Sequence, residues 1–241
     1  MKYIKTAAVL AFIPAVLAAD TIAEHYPVAE NVRGHENTEW STSYAYHLTD
    51  ANKDLPRVLL VGDSICQGYQ SKVRSKLEGR ANVTYWASSY CVTSPGYLRL
   101  LAFYLDEAKY DIIHFNNGLH SCETPVADYE KSYRAALQLV RKKQPGVKLV
   151  WASSTPLNTT NTAKAEKVVQ LNEAARRAAN SVSGIGENDL FALMNPLDRA
   201  MYWVDMHHYT SDGYELLASQ IVEKVTAAMD SSAYNNPACR K

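Results

Sequence analysis

Short apolar runs alternate with amphipathic stretches of helical period from residue 57 to about residue 225. Runs of four to six mostly apolar residues are typical of parallel strands that are buried on both faces. The predicted strands are 57–61, 83–87, 110–115, 147–152 and a short fifth at 189–193. The stretches between them predict helices, some with start signals such as Ser94-Pro95 and a capping Ser211. This alternation predicts one α/β domain with a mainly parallel five-stranded sheet and helices on both faces.

The N-terminal region departs from this pattern in two steps. Met1–Lys5 carries two lysines, Thr6–Leu17 is almost wholly apolar, and small residues follow. Residues 1–19 are therefore predicted to be a secretory signal peptide, with an uncleaved anchor as the alternative. Residues 20–56 are polar and irregular, and we expect an N-terminal arm lying on the domain formed by residues 57–241. The expected location is secreted or periplasmic, without stable membrane insertion after cleavage.

Charge and composition narrow the classes of partner. Lys and Arg number 25, and so do Asp and Glu, so the formal net charge is zero. A chain without a basic excess is a poor binder of nucleic acid, because neutralising phosphates needs clustered cations. Tyr occurs 16 times, which suits either a hydrated binding surface or the periphery of the core.

The predicted export affects the expected redox state of the four cysteines. In an oxidising compartment they can form disulfides, and three pairings are possible. Cys91 and Cys122 each follow a predicted strand, so a bridge between them is expected, with free buried thiols as the alternative. None of the four belongs to a Cys-x-x-Cys pair, so neither a structural zinc nor any other metal is expected.

The ends of parallel strands are where α/β sheets bind ligands, and the first strand is followed by Gly62-Asp63-Ser64. Glycine permits a tight turn there, and Ser64 falls where the next helix begins. A hydroxyl at a helix start lies near amide donors and the positive end of the helix dipole, which suits a nucleophile that generates an oxyanion. The alternative is that Ser64 only caps the helix.

A base for such a nucleophile lies before the last helix. Serine needs an adjacent base, and histidine titrates in the suitable range. In Asp205-Met206-His207-His208 a carboxylate three residues before His208 can bind its Nδ1 and fix the tautomer. His207 is the rival base, but the spacing favours His208 and leaves His207 as a substrate-side residue. A surface turn with incidental charge is the alternative interpretation.

A third polar segment closes the strand at 110–115. It reads Asn116-Asn117-Gly118-Leu119-His120, and a side-chain amide there can donate to an oxyanion. Because Asn-Gly is also a favoured turn pair, a simple turn is the alternative.

Together the motifs resemble those of the SGNH hydrolases, also called the GDSL esterase/lipase family. The resemblance is carried by the strand leading into Gly62-Asp63-Ser64 and by the segment from Asp205 to Leu217. It implies a three-layer αβα, flavodoxin-like fold and no cofactor. It also implies ester hydrolysis through an acyl-enzyme, with Ser64 as nucleophile, His208 as base and Asp205 orienting the base.

The middle of the chain departs from the family pattern. The loop after the second strand contains Ser88–Ser94 and lacks the family's oxyanion glycine, so an amide near Tyr90 or Cys91 is the substitute. Asn117 is the expected side-chain donor with Asn116 next, alongside the amide of Ser64. These departures indicate a divergent branch of exported bacterial esterases, and the reaction we expect is deacetylation of a carbohydrate. Expected substrate-binding residues are His120, His207 and Tyr90, with Tyr97, Trp203 and Tyr209 able to stack on sugars or to pack in the core.

Overall fold

A computed structural model of the protein describes residues 39–231, and these form a six-stranded sheet with helices on both faces. The strands are β1 (Ser41–Tyr44), β2 (Arg57–Gly62), β3 (Asn82–Ser88), β4 (Ile112–Phe115), β5 (Lys148–Ala152) and β6 (Ile185–Asn188). The helices are α1 (Ser64–Lys76), α2 (Pro95–Asp106), α3 (Val126–Lys143), α4 (Thr162–Asn180), α5 (Leu190–Met194), α6 (Arg199–Tyr202) and α7 (Ser211–Asp230), with a 3₁₀ turn at Leu119–Ser121.

Strand order explains where a site can form. The sheet runs β1-β3-β2-β4-β5-β6, and every neighbouring pair is parallel except β1 with β3. The parallel strands begin at the centre with β2, and the chain then passes to β3 on one side and crosses to β4 on the other. The loops after β2, β3 and β4 therefore meet at the carboxyl edge where the connections diverge, which is the binding position of such sheets.

Alternate residues of β2 face the two helical layers. Leu59 and Val61 pack toward α2, α3 and α4, whereas Val58 and Leu60 pack toward α1 and α7. All four side chains are fully buried, as expected for a central parallel strand covered on both faces. The α/β domain predicted from the alternation of strands and helices is confirmed, and so is the three-layer αβα fold that the family resemblance implied.

The structure differs from the prediction at both flanks of the sheet. The sixth strand, β1, lies in the segment predicted to be an irregular arm, and it adds antiparallel to the edge of β3. The predicted strand at 189–193 is wrong. The Asp189 carboxylate accepts a hydrogen bond from the Ala192 amide and caps α5, so the fifth parallel strand ends at Asn188.

Cysteine pairing also differs from the expectation. Cys91 and Cys122 are both free thiols, so the predicted bridge between them is wrong. The Cys91 Sγ lies instead within hydrogen-bond distance of two hydroxyls, 3.1 Å from Thr124 Oγ1 and 3.2 Å from Ser121 Oγ. Cys66 is a free buried thiol, and Cys239 and the predicted signal peptide lie outside the described residues. None of the helices formed by residues 39–231 is long and apolar enough to cross a membrane.

One buried histidine on the central sheet is held neutral. His114 on β4 is fully buried, and its Nε2 lies 3.0 Å from Asn188 Nδ2. The Gln220 amide donates to Asn188 Oδ1, so the Asn188 NH₂ group must face the imidazole and donate to it. Burial lowers the pKa of His114 to about 4, because a charged imidazolium is poorly solvated inside the sheet.

This histidine predicts acid sensitivity. Between the unfolded pKa of 6.5 and the folded pKa of about 4, the unfolded chain binds a proton that the folded chain does not. The unfolding free energy therefore falls with decreasing pH, by up to about 1.4 kcal/mol per pH unit. Urea unfolding of the wild type and of His114→Gln, at several pH values across that window, should give a shallower slope for the variant. Equal slopes would contradict this assignment.

Candidate active site

Ser64 is positioned by the sharp turn between β2 and α1. Asp63 is the N-cap of α1, and its Oδ1 accepts a hydrogen bond of 3.0 Å from the Ile65 amide. Ser64 is thus the first residue of the helix and leaves the capping to Asp63. A Cβ on Gly62 would lie 2.5 Å from the Cβ of Cys66, so only glycine fits this turn without displacing the helix.

The loop before α7 brings an imidazole to this hydroxyl. His208 Nε2 lies 2.9 Å from Ser64 Oγ, although 144 positions separate the two residues. On the other side of the ring, His208 Nδ1 lies 2.8 Å from Asp205 Oδ2. The structure therefore joins Ser64, His208 and Asp205 in one hydrogen-bonded row.

The Asp205 carboxylate also holds its own loop together. Its Oδ1 accepts hydrogen bonds of 2.7 Å from the backbone amides of His207 and His208. These backbone bonds, together with the His208 side-chain bond, hold the pKa of Asp205 well below its usual range. An ionised carboxylate only accepts, so Nδ1 carries the proton and Nε2 is free to accept from Ser64 Oγ. This is the tautomer that a general base needs.

A cleft adjoins this row through His207, whose ring centroid lies 6.1 Å from that of His208. Ser64, Asp205 and His208 are not among the residues that line it. The cleft has a volume of about 600 Å³, and His120 and His207 line it together with Leu119, Leu157 and Met206. His120 packs edge-on against Trp40 of the N-terminal segment, with 5.9 Å between ring centroids. Burial, and then the neighbouring His208, lower the pKa of His207, so His207 is biased toward the neutral form.

Comparisons with known proteins bear on the fold. No protein-family model and no curated protein matches the chain. Among solved structures, a GDSL-like lipase from Bacteroides thetaiotaomicron is 16% identical with a TM-score of 0.61, over 75% of this chain and 93% of that one. A carbohydrate esterase of family 3 from Talaromyces cellulolyticus is 18% identical, with a TM-score of 0.59 over 74% and 100%. A protein from Slackia heliotrinireducens named as an SGNH hydrolase is 17% identical, with a TM-score of 0.56 over 71% and 100%.

The chain has the SGNH-hydrolase fold. The resemblance inferred from the sequence motifs is thereby confirmed at the level of the fold.

Within the SGNH fold, the loop after β3 departs most from expectation. Of its amides, those of Ser89, Val92 and Ser94 already donate, to Trp40 O, to Asn117 Oδ1 and to Cys91 O. Across residues 39–231, the Tyr90 and Cys91 amides have no such acceptor, and they keep their role as candidate oxyanion donors. The Ser64 amide is a further candidate, because the first amides of a helix have no intrahelical acceptor.

The two asparagines after β4 are bound within the protein. Asn117 Nδ2 donates to Tyr90 O at 2.9 Å, and its Oδ1 accepts from Val92 and from Ser121 Oγ. Asn116 Nδ2 donates to Ala152 O at 2.8 Å and to Ser154 Oγ at 3.2 Å. Asn117 therefore fixes the loop that carries the Tyr90 and Cys91 amides, and one hydrogen of its NH₂ group is not used by the bond to Tyr90 O.

Asn117→Ala should lower kcat by about 10²-fold and change KM little, because a donor to the oxyanion acts on the transition state. The unfolding free energy should also fall by about 1–3 kcal/mol, because Tyr90 O and the Val92 amide lose a buried partner. Steady-state kinetics and urea unfolding measure the two effects. The matched variant Asn116→Ala should lose mainly stability, and the reverse ranking of kcat would transfer the donor role to Asn116.

Four aromatic residues expected near substrate differ in position. Tyr97, Trp203 and Tyr209 are at most 5% exposed, so they pack in the core and cannot stack on a sugar. Tyr90 is half-buried and packs against Gly96, and it is not among the residues that line the cleft.

Sequence reasoning missed the cleft wall formed by the first turns of α4. Lys164 and Lys167 line the cleft together with Asn161 and Ala163. Their one signal in the sequence is a three-residue spacing, which puts both lysines on one side of a helix. In the part of the chain that the structure describes, no group of three His, Cys, Asp or Glu side chains is arranged to hold a metal ion.

Proposed function

We propose that this protein is an exported serine esterase that hydrolyses carboxylic esters through an acyl-enzyme and removes acetyl groups from a carbohydrate. One observation carries the proposal: the row of hydrogen bonds from Ser64 Oγ to His208, 2.9 Å, and from His208 to Asp205, 2.8 Å. A surface turn with incidental charge has no reason to meet a helix-start hydroxyl 144 positions away.

The first half-reaction follows from this row. Ser64 Oγ attacks the ester carbonyl carbon while His208 Nε2 takes the hydroxyl proton. The carbonyl oxygen gains the negative charge and accepts from the Ser64 amide, from an amide near Tyr90 or Cys91, and from Asn117. The tetrahedral intermediate collapses, the C–O bond breaks, and His208 gives its proton to the leaving alcohol.

Water completes the cycle. It attacks the acyl-enzyme carbonyl while His208 accepts one of its protons, and the carboxylic acid leaves as Ser64 regains its proton. Asp205 stays ionised throughout, because the hydrogen bonds it accepts keep its pKa well below the usual value. The charge of Asp205 stabilises the imidazolium that forms in both halves.

Two features support a carbohydrate as the alcohol of the ester. The cleft has polar groups such as His120 and His207, which suit hydroxyl-bearing ligands. One solved structure with this fold is named a carbohydrate esterase.

Export is supported by the pattern of a basic, then apolar, then small-residue segment over residues 1–19.

A panel of substrates distinguishes the proposed activity from the alternative activities that the same three residues could support. Acetylated sugars and aryl acetates should be hydrolysed with higher kcat/KM than aryl octanoates or acyl thioesters. A preference for long acyl chains would instead identify a lipase or thioesterase on the same three residues. Binding of acetylated sugar without turnover would identify a non-catalytic carbohydrate-binding relative. Secretion is tested by the N-terminal sequence of protein recovered from the medium or periplasm.

A further inference from the structure

Two cationic side chains line the cleft that includes His207, the neighbour of the proposed base His208. Lys164 and Lys167 lie on the first turns of α4, and both line the cleft. The start of this helix is fixed, because the Asn161 side chain caps it by accepting from the Lys164 amide at 3.1 Å. The two side chains therefore extend from a rigid wall.

Neither lysine is neutralised by the protein. Among residues 39–231, Lys164 and Lys167 form no ion pair, whereas other lysines such as Lys76 and Lys143 are bound to carboxylates. Glu123 also lines the cleft, but it bonds to neither lysine. The residues that line the cleft thus include two lysines, Lys164 and Lys167, and one acidic residue, Glu123.

A hydrogen bond joins the segment before α4, the helix that carries the two lysines, to the proposed catalytic loop. The Asn158 amide, just before α4, donates to the carbonyl of Met206 at 2.9 Å. Met206 and His207 belong to the loop that joins Asp205 to His208, and both line the same cleft. The loop that carries the proposed base and the helix that carries the lysines therefore line one cleft, which a substrate with its ester at Ser64 can enter past His207.

We propose that the ester substrate carries an anionic group, the carboxylate of an acidic sugar, which binds at Lys164 and Lys167. This inference rests on the proposed esterase function and specifies its substrate class. Lysine binds carboxylates as a point charge from a flexible stem. Each exposed pair contributes modestly, so the two lysines together give selectivity between charged and neutral substrates.

Matched substrates test this selectivity. Mono-acetylated methyl galactopyranoside and its galactopyranosiduronate differ only in that a carboxylate replaces the primary alcohol. The wild type should hydrolyse the uronate with kcat/KM about 3- to 10-fold higher, mainly through KM. The ratio should fall toward one in Lys164→Gln/Lys167→Gln and at high salt. A third substrate, the galactoside sulfated on its primary hydroxyl, reports whether any anion suffices or a carboxylate is needed.

A control lysine distinguishes the effect of this site from the effect of the protein's overall charge. Lys109 is exposed in the loop before β4, at the opposite edge of the sheet. Lys109→Gln removes the same charge and should keep the full preference. Equal kcat/KM of the wild type for the neutral and acidic substrates, or an unchanged preference in the double variant, overturns the proposal.

A binding experiment distinguishes failure of this inference from failure of the esterase function. The deacetylated glycosides bind without turnover, so titration calorimetry or ligand-observed NMR reports the charge preference even in an inactive protein. Tighter binding of the galacturonide that is lost in Lys164→Gln/Lys167→Gln supports the anion site, whatever the protein does to esters. Equal binding of both glycosides overturns it, even if para-nitrophenyl acetate is hydrolysed.

Discussion

Ser64→Ala lowers the kcat for para-nitrophenyl acetate by about 10⁴- to 10⁶-fold, the scale found when a serine nucleophile is removed from such a triad. The alanine lacks the oxygen that attacks the carbonyl, and His208 then has only water to activate. The loss should be in the chemical step. A fluorophosphonate should add covalently to the wild type at the peptide containing Ser64, and mass spectrometry should find no adduct with the variant.

The fold should survive this change, because Asp63 and not Ser64 caps α1. Thermal unfolding of Ser64→Ala should therefore match that of the wild type closely. Ser71→Ala is the matched control, since Ser71 is exposed on the same helix two turns further on, and it should retain full activity. Turnover within tenfold of the wild type in Ser64→Ala would remove Ser64 from the mechanism.

Asp205→Asn should lower kcat by about 10³- to 10⁴-fold near neutral pH, with KM little changed. The asparagine oxygen can still accept from the His207 and His208 amides, so the loop should remain folded. Its NH₂ group would then face His208 Nδ1, which must accept instead of donate. Nε2 would carry the proton toward Ser64 Oγ, and the base would be in the wrong tautomer.

Stopped-flow and steady-state assays should compare the kcat of Asp205→Asn with that of Asp212→Asn, a control variant that carries the same chemical change. Asp212 is exposed in the first turn of α7, and its variant should keep wild-type kcat. If Asp205→Asn keeps kcat within a few-fold and His207→Asn loses it, the base is His207 and the predicted spacing argument is wrong.

Much of the fold follows from local sequence because it rests on burial. The runs at β2 and β5 are apolar and fully covered, so their period and length determine the layer they occupy. The structure at the two flanks of the sheet depends on contacts that no local sequence pattern reveals. Ser41–Tyr44 reads as polar, because an edge strand at the surface leaves alternate side chains in water. At 189–193 a capping carboxylate decides for helix over strand.

In the candidate site, too, some residues could be predicted from local sequence and others could not. Asp205 and His208 lie within one loop, so their contact follows from spacing, and Ser64 follows from the strand end that precedes it. The commitments of Asn116 and Asn117 to carbonyls 25 or more positions away are tertiary and could not be predicted from their own segment. The lysines of α4 were missed for a similar reason. A solvated helix face and a cleft wall have the same sequence pattern, and only the neighbouring loop distinguishes them.

The antiparallel strand β1 has a consequence for solubility. The outer side of β3 would otherwise offer a row of unpaired N–H and C=O groups to any extended chain, as open sheet margins do. Pairing from Ser41 with Ser88 to Tyr44 with Tyr85 occupies that row. The segment before β2 thus acts as a guard against self-association, and versions of the protein trimmed to start at Arg57 would lose that guard along with the Trp40 contact to His120.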